Sequence, residues 1–194
     1  MKTIKTDNSH LAHKLLIRRH FLQKYHGNGA IPVVFDCCQG EGIIWKALRQ
    51  EFQVQYWGVD LKSKPGRPRV DSLRILKLPG FHADIIDIDT YGSPWKHWFA
   101  LLPKIQKPMT VFMTIGHTPP LVNAPDHAML AAAGLNFRRL RLPSTIGSQL
   151  HDFCLSYCLT RTYVYDIIIV ETAECIAPGN ARYLGLRLEK RAKV

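Results

Sequence analysis

The stretch that decides the fold of this chain is Val33-Val34-Phe35-Asp36-Cys37-Cys38-Gln39-Gly40-Glu41-Gly42, followed by Ile43-Ile44-Trp45-Lys46-Ala47-Leu48. Its order predicts a buried strand, a tight glycine turn and an amphipathic helix. Such a junction presents backbone N–H groups at a helix start, where they can bind the polar tail or phosphate of a nucleotide-like ligand. A dinucleotide fingerprint has a third glycine three residues after Gly42, where Trp45 stands. The sequence therefore disfavours a nicotinamide-dependent oxidoreductase.

Predicted strands and helices alternate along most of the chain, which favours a parallel sheet between two helical layers. We predict strands over residues 31–38, 54–60, 83–89, 109–115, 163–171 and 182–189, a short strand ending at 70–71, and helices over 9–25, 41–52 and 144–161. A turn at residues 177–180 joins the last two strands into an antiparallel hairpin. The expected fold is α/β, a three-layer Rossmann-like sheet of about seven strands, mostly parallel with a C-terminal antiparallel hairpin. Residues 1–29 are expected to form a basic N-terminal helical extension, and residues 30–194 a single domain.

The charge of the chain is strongly positive: 26 Lys and Arg residues against 15 Asp and Glu residues give a formal net charge of +11. Much of it falls in four clusters, which are Lys14, Arg18, Arg19 and Lys24; Lys62, Lys64, Arg67 and Arg69; Arg138, Arg139 and Arg141; and Arg187, Lys190, Arg191 and Lys193. Excess positive charge favours polyanions through counterion release, so nucleic acid is the leading partner. The alternative is a surface that is merely well solvated.

Several classes of site and location are disfavoured. No apolar run approaches the roughly 20 residues of a membrane span, so no membrane partner is expected. The five cysteines include no Cys-x-x-Cys pair, which is typical of a reduced, cytoplasmic chain. His151, Cys154 and Cys158 share one face of the predicted late helix, but leucines beside them favour a packed core, and no metal is expected.

Acidic residues follow the first strands in a recognisable order. Asp36-x-x-x-Gly40-x-Gly42 resembles the first motif of class I, Rossmann-like S-adenosylmethionine-dependent methyltransferases, in which the glycine turn holds the methionine end of the cofactor. Asp60, 18 positions after Gly42, stands where that family keeps an acid for the two ribose hydroxyls, and Asp71 stands where it places an acid or amide beside the adenine. The resemblance thus implies S-adenosylmethionine as cofactor, with a site made of Asp36, Cys38, Gly40, Gly42, Asp60, Asp71 and Asp87.

A second motif follows the third long predicted strand. Asp87-Ile88-Asp89-Thr90-Tyr91-Gly92-Ser93-Pro94 resembles the Asp-Leu-Asp-Pro-Tyr/Phe-Gly-Ser-Pro signature of tRNA guanine-N2 methyltransferases, with Thr90 in place of the proline. The resemblance implies that Asp89 orients the amine of the substrate and that Tyr91 stacks on an extruded base. The structural alternative is an ordinary turn between a strand and a helix, with Ser93 as its cap.

These patterns predict methyl transfer to an exocyclic amino group of a nucleic-acid base, with Asp89 and Tyr91 as catalytic residues. Two alternatives stay open. The same fold could methylate a protein or a small molecule, or it could be a non-catalytic module that binds S-adenosylmethionine or nucleic acid.

Overall fold

A computed structural model describes residues 10–62, 68–90, 93–115, 130–131, 133–134, 144–176 and 181–192, with the backbone alone for 144–151. Its helices are α1 (Leu11–His26), α2 (Ile43–Leu48), α3 (Ser72–Lys77), α4 (Trp95–Leu101) and α5 (Ser144–Thr160). Its strands are β1 (Val33–Asp36), β2 (Gln55–Gly58), β3 (Ile85–Ile88), β4 (Met109–Ile115), β5 (Ile167–Ile176) and β6 (Arg182–Lys190). Short 3-10 turns follow α4 and α5, at Leu102–Lys104 and Arg161–Tyr165.

One six-stranded sheet, in the order β2-β1-β3-β4-β6-β5, contains all of these strands. The first four in that order are parallel, whereas β6 runs antiparallel to both β4 and β5. This architecture confirms the predicted fold class, including the antiparallel C-terminal hairpin. The short strand expected to end at residues 70–71 is reduced to a single parallel bridge between Asp60 and Arg69.

Side chains that alternate along the strands form a hydrophobic core on each face of the sheet. On one face, Ile86, Ile88 and Val111 lie in a core shared with α3, α4 and α5. On the other, Ile85 and Phe112 lie in a core shared with α1 and α2. The structure is therefore three-layered, and each strand residue can be assigned to a face by its parity.

Helix α1 lies close against the sheet because β6 carries a glycine beneath it. A Cβ atom at Gly185 would lie 2.5 Å from Cε2 of Phe21 and 2.7 Å from Cγ2 of Ile17. Phe21 is fully buried, and its ring meets the edge of the Phe112 ring at a centroid distance of 5.8 Å. Thus α1 supplies part of the core on its face of the sheet.

The predicted elements differ from the observed ones where local turn chemistry decides the boundary. Helix α3 was not predicted, and it begins at Ser72 because Asp71 caps it. Helix α2 is shorter than the predicted 41–52, and its buried residues are Trp45 and Leu48. Strand β5 begins later than predicted because a 3-10 turn at Arg161–Tyr165 precedes it. No helix in the described part of the chain has the length and apolar character that crossing a bilayer requires.

Candidate functional site

The first two acids of the candidate site end adjacent parallel strands. Asp36 and Asp87 are register partners in β1 and β3, and both are buried. Asp36 Oδ1 accepts a hydrogen bond from the Cys38 backbone N–H at 3.1 Å, and Oδ2 accepts one from the Tyr56 hydroxyl at 3.0 Å. Burial, followed by repulsion from Asp87, raises the pKa of Asp36 well above its usual range. The carboxyl end of the sheet therefore holds two neighbouring buried acids, and burial disfavours the charged form of Asp36.

The predicted glycine turn follows β1, and its backbone is left-handed at two positions. Gly40 and Gly42 have φ angles of 54° and 68°, a region that side chains with a Cβ disfavour. The Gly42 N–H donates to the Gln39 carbonyl at 2.7 Å. Asp60 lies beside the turn, because its Oδ2 accepts from the Gly40 N–H at 3.0 Å. Its Oδ1 accepts from the Lys62 N–H at 2.9 Å, so Asp60 joins the turn to the loop that follows β2.

Cys38 lies in this turn as a neutral thiol. Burial, followed by repulsion from Asp36, raises its pKa far above the usual value. A neutral thiol is a poor nucleophile. Cys38 therefore contributes its backbone and its bulk to the turn.

Asp71 reaches the same edge through the bridge between Asp60 and Arg69. The Val70 N–H donates to the Asp60 carbonyl at 3.1 Å, and Asp71 follows it directly. Asp71 Oδ1 accepts from the Leu73 N–H at 2.9 Å, which makes this acid the N-cap of α3.

Asp87 and Asp89 are held by two cations from α1. Arg18 Nε and Nη2 donate to the two oxygens of Asp87 at 2.8 and 2.6 Å, and Trp45 Nε1 donates to Oδ2 at 2.7 Å. Lys14 Nζ contacts the two oxygens of Asp89 at 2.9 and 2.7 Å. Burial alone would lower the pKa of Arg18, but attraction to Asp87 outweighs it and the net pKa is raised. Each of the two acids therefore has a cationic partner from α1.

The spacing of the two pairs follows from the geometry of the two elements. Four residues of helix separate Lys14 from Arg18 by about 6 Å, and two residues of strand separate Asp87 from Asp89 by about 6.6 Å. Helix and strand run in opposite directions, since Lys14 meets Asp89 and Arg18 meets Asp87. The amino-terminal half of α1 therefore lies at the carboxyl edge of the sheet.

The expectation of an exposed basic helix was wrong for Lys14 and Arg18, which are 6% and 2% exposed. The other two cations of this cluster are exposed but also paired, Arg19 with Glu51 and Lys24 with Glu171. Hydrogen bonds from Lys24, Tyr25 and His20 lower the pKa of Glu171 to about 2. All four cations of the cluster therefore have acidic partners within the protein.

Polar atoms without a hydrogen-bond partner among the described residues lie after β3 and at the end of β4. They are Oγ1 of Thr90, Oγ of Ser93, Nε1 of Trp95 and Oγ1 of Thr114. Buried groups of this kind are uncommon and point to a missing partner. Tyr91, predicted to stack on a base, lies outside the described residues.

The structure thus brings Asp36, Cys38, Gly40, Gly42, Asp60, Asp87 and Asp89 to one edge of the sheet, with Asp71 next to the bridge at its side. Sequence reasoning missed Lys14, Arg18 and Tyr56 as partners of these acids. A signal for the first two was present, because residues 14, 17, 18, 21 and 22 form one helical stripe, and these five are the buried residues of α1.

Comparisons with known proteins were made on sequence and on structure. No protein-family model matches the sequence, and no curated protein matches it significantly. Three similar solved structures are Trm1 from Pyrococcus horikoshii in complex with S-adenosyl-L-methionine, TYW2 from M. jannaschii in complex with AdoMet, and the cyclase SpnF. Their identities to this chain are 15%, 10% and 11%, with TM-scores of 0.67, 0.54 and 0.51.

These matches extend over nearly the whole chain. They cover 94%, 97% and 92% of it, and 55%, 79% and 81% of the respective structures. The chain therefore spans about half the length of the Trm1 structure. Since one of the three is a cyclase, the shared architecture does not by itself fix a reaction. The chain has the fold of the class I, Rossmann-like S-adenosylmethionine-dependent methyltransferases.

Proposed function

We propose that this protein transfers a methyl group from S-adenosylmethionine to an exocyclic amine of a nucleic-acid base. The observation that supports this most is the position of Asp89, a paired carboxylate directly after β3 whose side chain is 17% exposed. It lies on the same sheet edge as the glycine turn and Asp60. A cofactor site and a hydrogen-bond acceptor for an amine are thereby adjacent.

The residues at this edge fit the proposed cofactor. An ionised carboxylate accepts several hydrogen bonds at once, so Asp60 can hold the glycine turn and bind ribose hydroxyls together. The turn at Gly40 and Gly42 would hold the methionine end with its backbone, and Asp71 would bind the adenine. When bound, S-adenosylmethionine supplies an electrophilic methyl group: the amine lone pair forms the new N–C bond, the S–C bonding pair stays on sulfur, and a proton then leaves the nitrogen.

The protein contributes alignment at the acceptor. Asp89 accepts an N–H of the amine and so directs the nitrogen lone pair away from itself, toward the methyl group. No side-chain nucleophile is needed, because the methylated nitrogen is strongly acidic and loses its proton readily.

Exposed cations beside Asp60 and on α3 support a nucleic-acid acceptor. Lys62 and Arg69 flank Asp60, and Arg74 and Lys77 lie on α3; all four are exposed. One observation favours a second candidate, a small-molecule or protein amine, because the cations of α1 are engaged within the protein. Steep salt dependence of acceptor binding separates the two, since phosphate contacts release counterions.

Titration calorimetry with S-adenosylmethionine and S-adenosylhomocysteine tests the cofactor site. Wild type should bind both ligands, and Asp60→Ala should weaken both at least about tenfold through lost ribose contacts. Asp152→Ala is the matched control, because Asp152 is 61% exposed on α5. Absence of binding to wild type would overturn the proposal.

Transfer of tritiated methyl to unfractionated tRNA, ribosomal RNA and single-stranded DNA tests the reaction. Wild type should label at least one of them, and nucleoside analysis should place the label on an exocyclic nitrogen. Asp89→Ala should abolish labelling while the cofactor affinity survives. Labelling only of proteins or small amines would favour the second candidate instead.

A further inference from the structure

We propose that Lys14 of α1 is a positioning residue for Asp89 and also a hydrogen-bond donor to the acceptor. Together they would recognise an amine that lies next to a ring nitrogen or carbonyl oxygen. This inference rests on the proposed function and assigns to Lys14 the recognition of the ring atom next to the amine.

The contact of Lys14 with Asp89 is built into the interior of the protein. The two side chains are 7% and 17% exposed, unlike the exposed pair of Arg19 and Glu51. Lys14 is placed there by Arg18, whose Nη1 donates to the Lys14 carbonyl at 2.9 Å while its other nitrogens hold Asp87. Arg18 therefore links Asp87 to Lys14, and Lys14 in turn fixes the position of the Asp89 carboxyl group.

An ammonium group has three N–H donors, and Asp89 takes two of them. Among the residues that the structure describes, the hydrogen bonds of Lys14 Nζ go to Asp89 alone, which leaves the third donor for a ligand. A carboxylate offers about four lone-pair sites, so Asp89 can accept from Lys14 and from a substrate amine together. The pair thus presents one donor and one acceptor to a ligand.

The surroundings of Lys14 contain a second group that lacks a partner. Lys14 Nζ lies 5.3 Å from the centroid of the Tyr183 ring, and Tyr183 is the register partner of Thr114. Thr114 is only 9% exposed, and its Oγ1 has no hydrogen-bond partner among the residues that the structure describes. Thr114 shares a sheet face with Phe112, under α1, so its hydroxyl points to the same layer as Lys14. A buried hydroxyl without a partner in the described part of the chain, on the sheet face that α1 covers, supports a polar ligand in this layer.

A donor beside an acceptor matches the edge of a nucleobase. In adenine, cytosine and guanine the exocyclic NH2 is bonded to a carbon that also carries a ring nitrogen with a lone pair. Asp89 would accept from the NH2, and Lys14 would donate to the ring nitrogen. An alkyl amine such as a lysine side chain offers no adjacent acceptor and would use Asp89 alone.

Methyl transfer to synthetic RNA hairpins tests this assignment. One hairpin carries the base that wild type methylates, and a second carries the deaza analogue in which C–H replaces the ring nitrogen. Because Lys14 also positions Asp89, Lys14→Met should lose kcat/KM on both hairpins, but the loss should be at least about tenfold larger on the parent hairpin than on the analogue. Lys14→Arg should retain part of the activity, and Arg19→Met, with an exposed pair on the same helix, should match wild type on both. Equal losses on the two hairpins, or no loss, would overturn the proposal.

A second readout needs no acceptor. In sinefungin a C–NH3+ group replaces the S–CH3 group of the cofactor, so its ammonium probes the charge near the transferred methyl. Removing the Lys14 cation in Lys14→Met should raise the affinity for sinefungin over S-adenosylhomocysteine by about threefold or more. An unchanged ratio would overturn the placement of Lys14. A third outcome separates the two proposals: wild type labels no nucleobase, but Lys14→Met still shifts the affinity ratio. That outcome would overturn the proposed function and support the placement of Lys14.

Discussion

Replacing Arg18 by methionine should destabilise the protein severely, because Arg18 is the cationic half of a buried ion pair. The Arg18 and Asp87 side chains are 2% and 1% exposed, and the closest contact between them is 2.6 Å. Methionine has a similar volume but no donor. In Arg18→Met, Asp87 would therefore stay buried, and among the described side chains the Trp45 N–H alone would still donate to it.

The expected magnitude follows from the burial of this charge. Removing one partner of a buried pair typically costs about 3–5 kcal/mol, because the remaining charge is left without compensation. The upper part of this range is expected here, since Arg18 also donates to the Lys14 carbonyl. Replacing the remaining charge as well, in Arg18→Met/Asp87→Asn, should recover at least about 1 kcal/mol, because a neutral amide is cheaper to bury.

Urea unfolding at pH 7.5, followed by tryptophan fluorescence and circular dichroism, measures these differences. Arg19→Met is the matched control, because it removes a cation of the same helix from an exposed pair, and it should leave the midpoint nearly unchanged. Should Arg18→Met fail to fold, the double variant provides the comparison and should fold. A loss under about 1 kcal/mol for Arg18→Met, or a double variant less stable than the single one, would refute the reasoning.

Gly185→Ala should lower the free energy of unfolding by about 1–3 kcal/mol in urea titrations, because its Cβ would lie 2.5 Å from Cε2 of Phe21; an unchanged midpoint contradicts this. Burial, and secondly repulsion from Arg187, lowers the pKa of His26 from 6.5 to about 4, so the unfolded chain binds the proton more readily. The stability that neutral His26 contributes above about pH 6.5 is therefore lost as the pH falls toward 4. Between pH 7.5 and 4.5, His26→Gln should lose less stability than wild type, by on the order of 1 kcal/mol given the partial exposure of His26; equal losses contradict this. Asp36→Asn should raise the free energy of unfolding at pH 8 by about 1 kcal/mol, because burial raises the pKa of Asp36 and disfavours its charged form, whereas calorimetry should show weaker cofactor binding; lower stability contradicts this.

The layers of the fold were predictable from the sequence because they depend on periodicity and on glycine. Strand β4 was predicted with its observed bounds, since it is a mainly apolar run that is buried on both faces. Strand β1 and the turn at Gly40 and Gly42 were predicted because an apolar run followed by two closely spaced glycines is typical of a buried strand and a tight turn. Helix α3 was missed because six residues contain too few turns for a periodic signal, although the Asp71-Ser72 start is a recognisable cap.

The candidate site was predictable as a set of acids but not as a network. Asp36, Asp60, Asp87 and Asp89 lie at or near the ends of predicted parallel strands. Because those ends meet at one edge of the sheet, the four acids were expected to lie close together. Their partners could not be predicted, because Lys14 and Arg18 are distant in sequence and were interpreted as surface charge. Long-range ion pairs depend on which helix crosses which strand, and sequence spacing within one element does not contain that information.

The positive charge of the chain therefore has two different physical roles. In α1, each cation of the cluster meets an acid of the protein, and the two buried ones fix the acids closest to the proposed chemistry. Such paired cations release few counterions, so they contribute little to a nucleic-acid interface. An interface must then depend on cations such as Arg74 and Lys77, which are exposed on α3. Formal net charge therefore indicates an acidic partner only when the cations paired with acids of the same protein are left out of the count. In this protein, two of those paired cations, Lys14 and Arg18, position the acids of the candidate site.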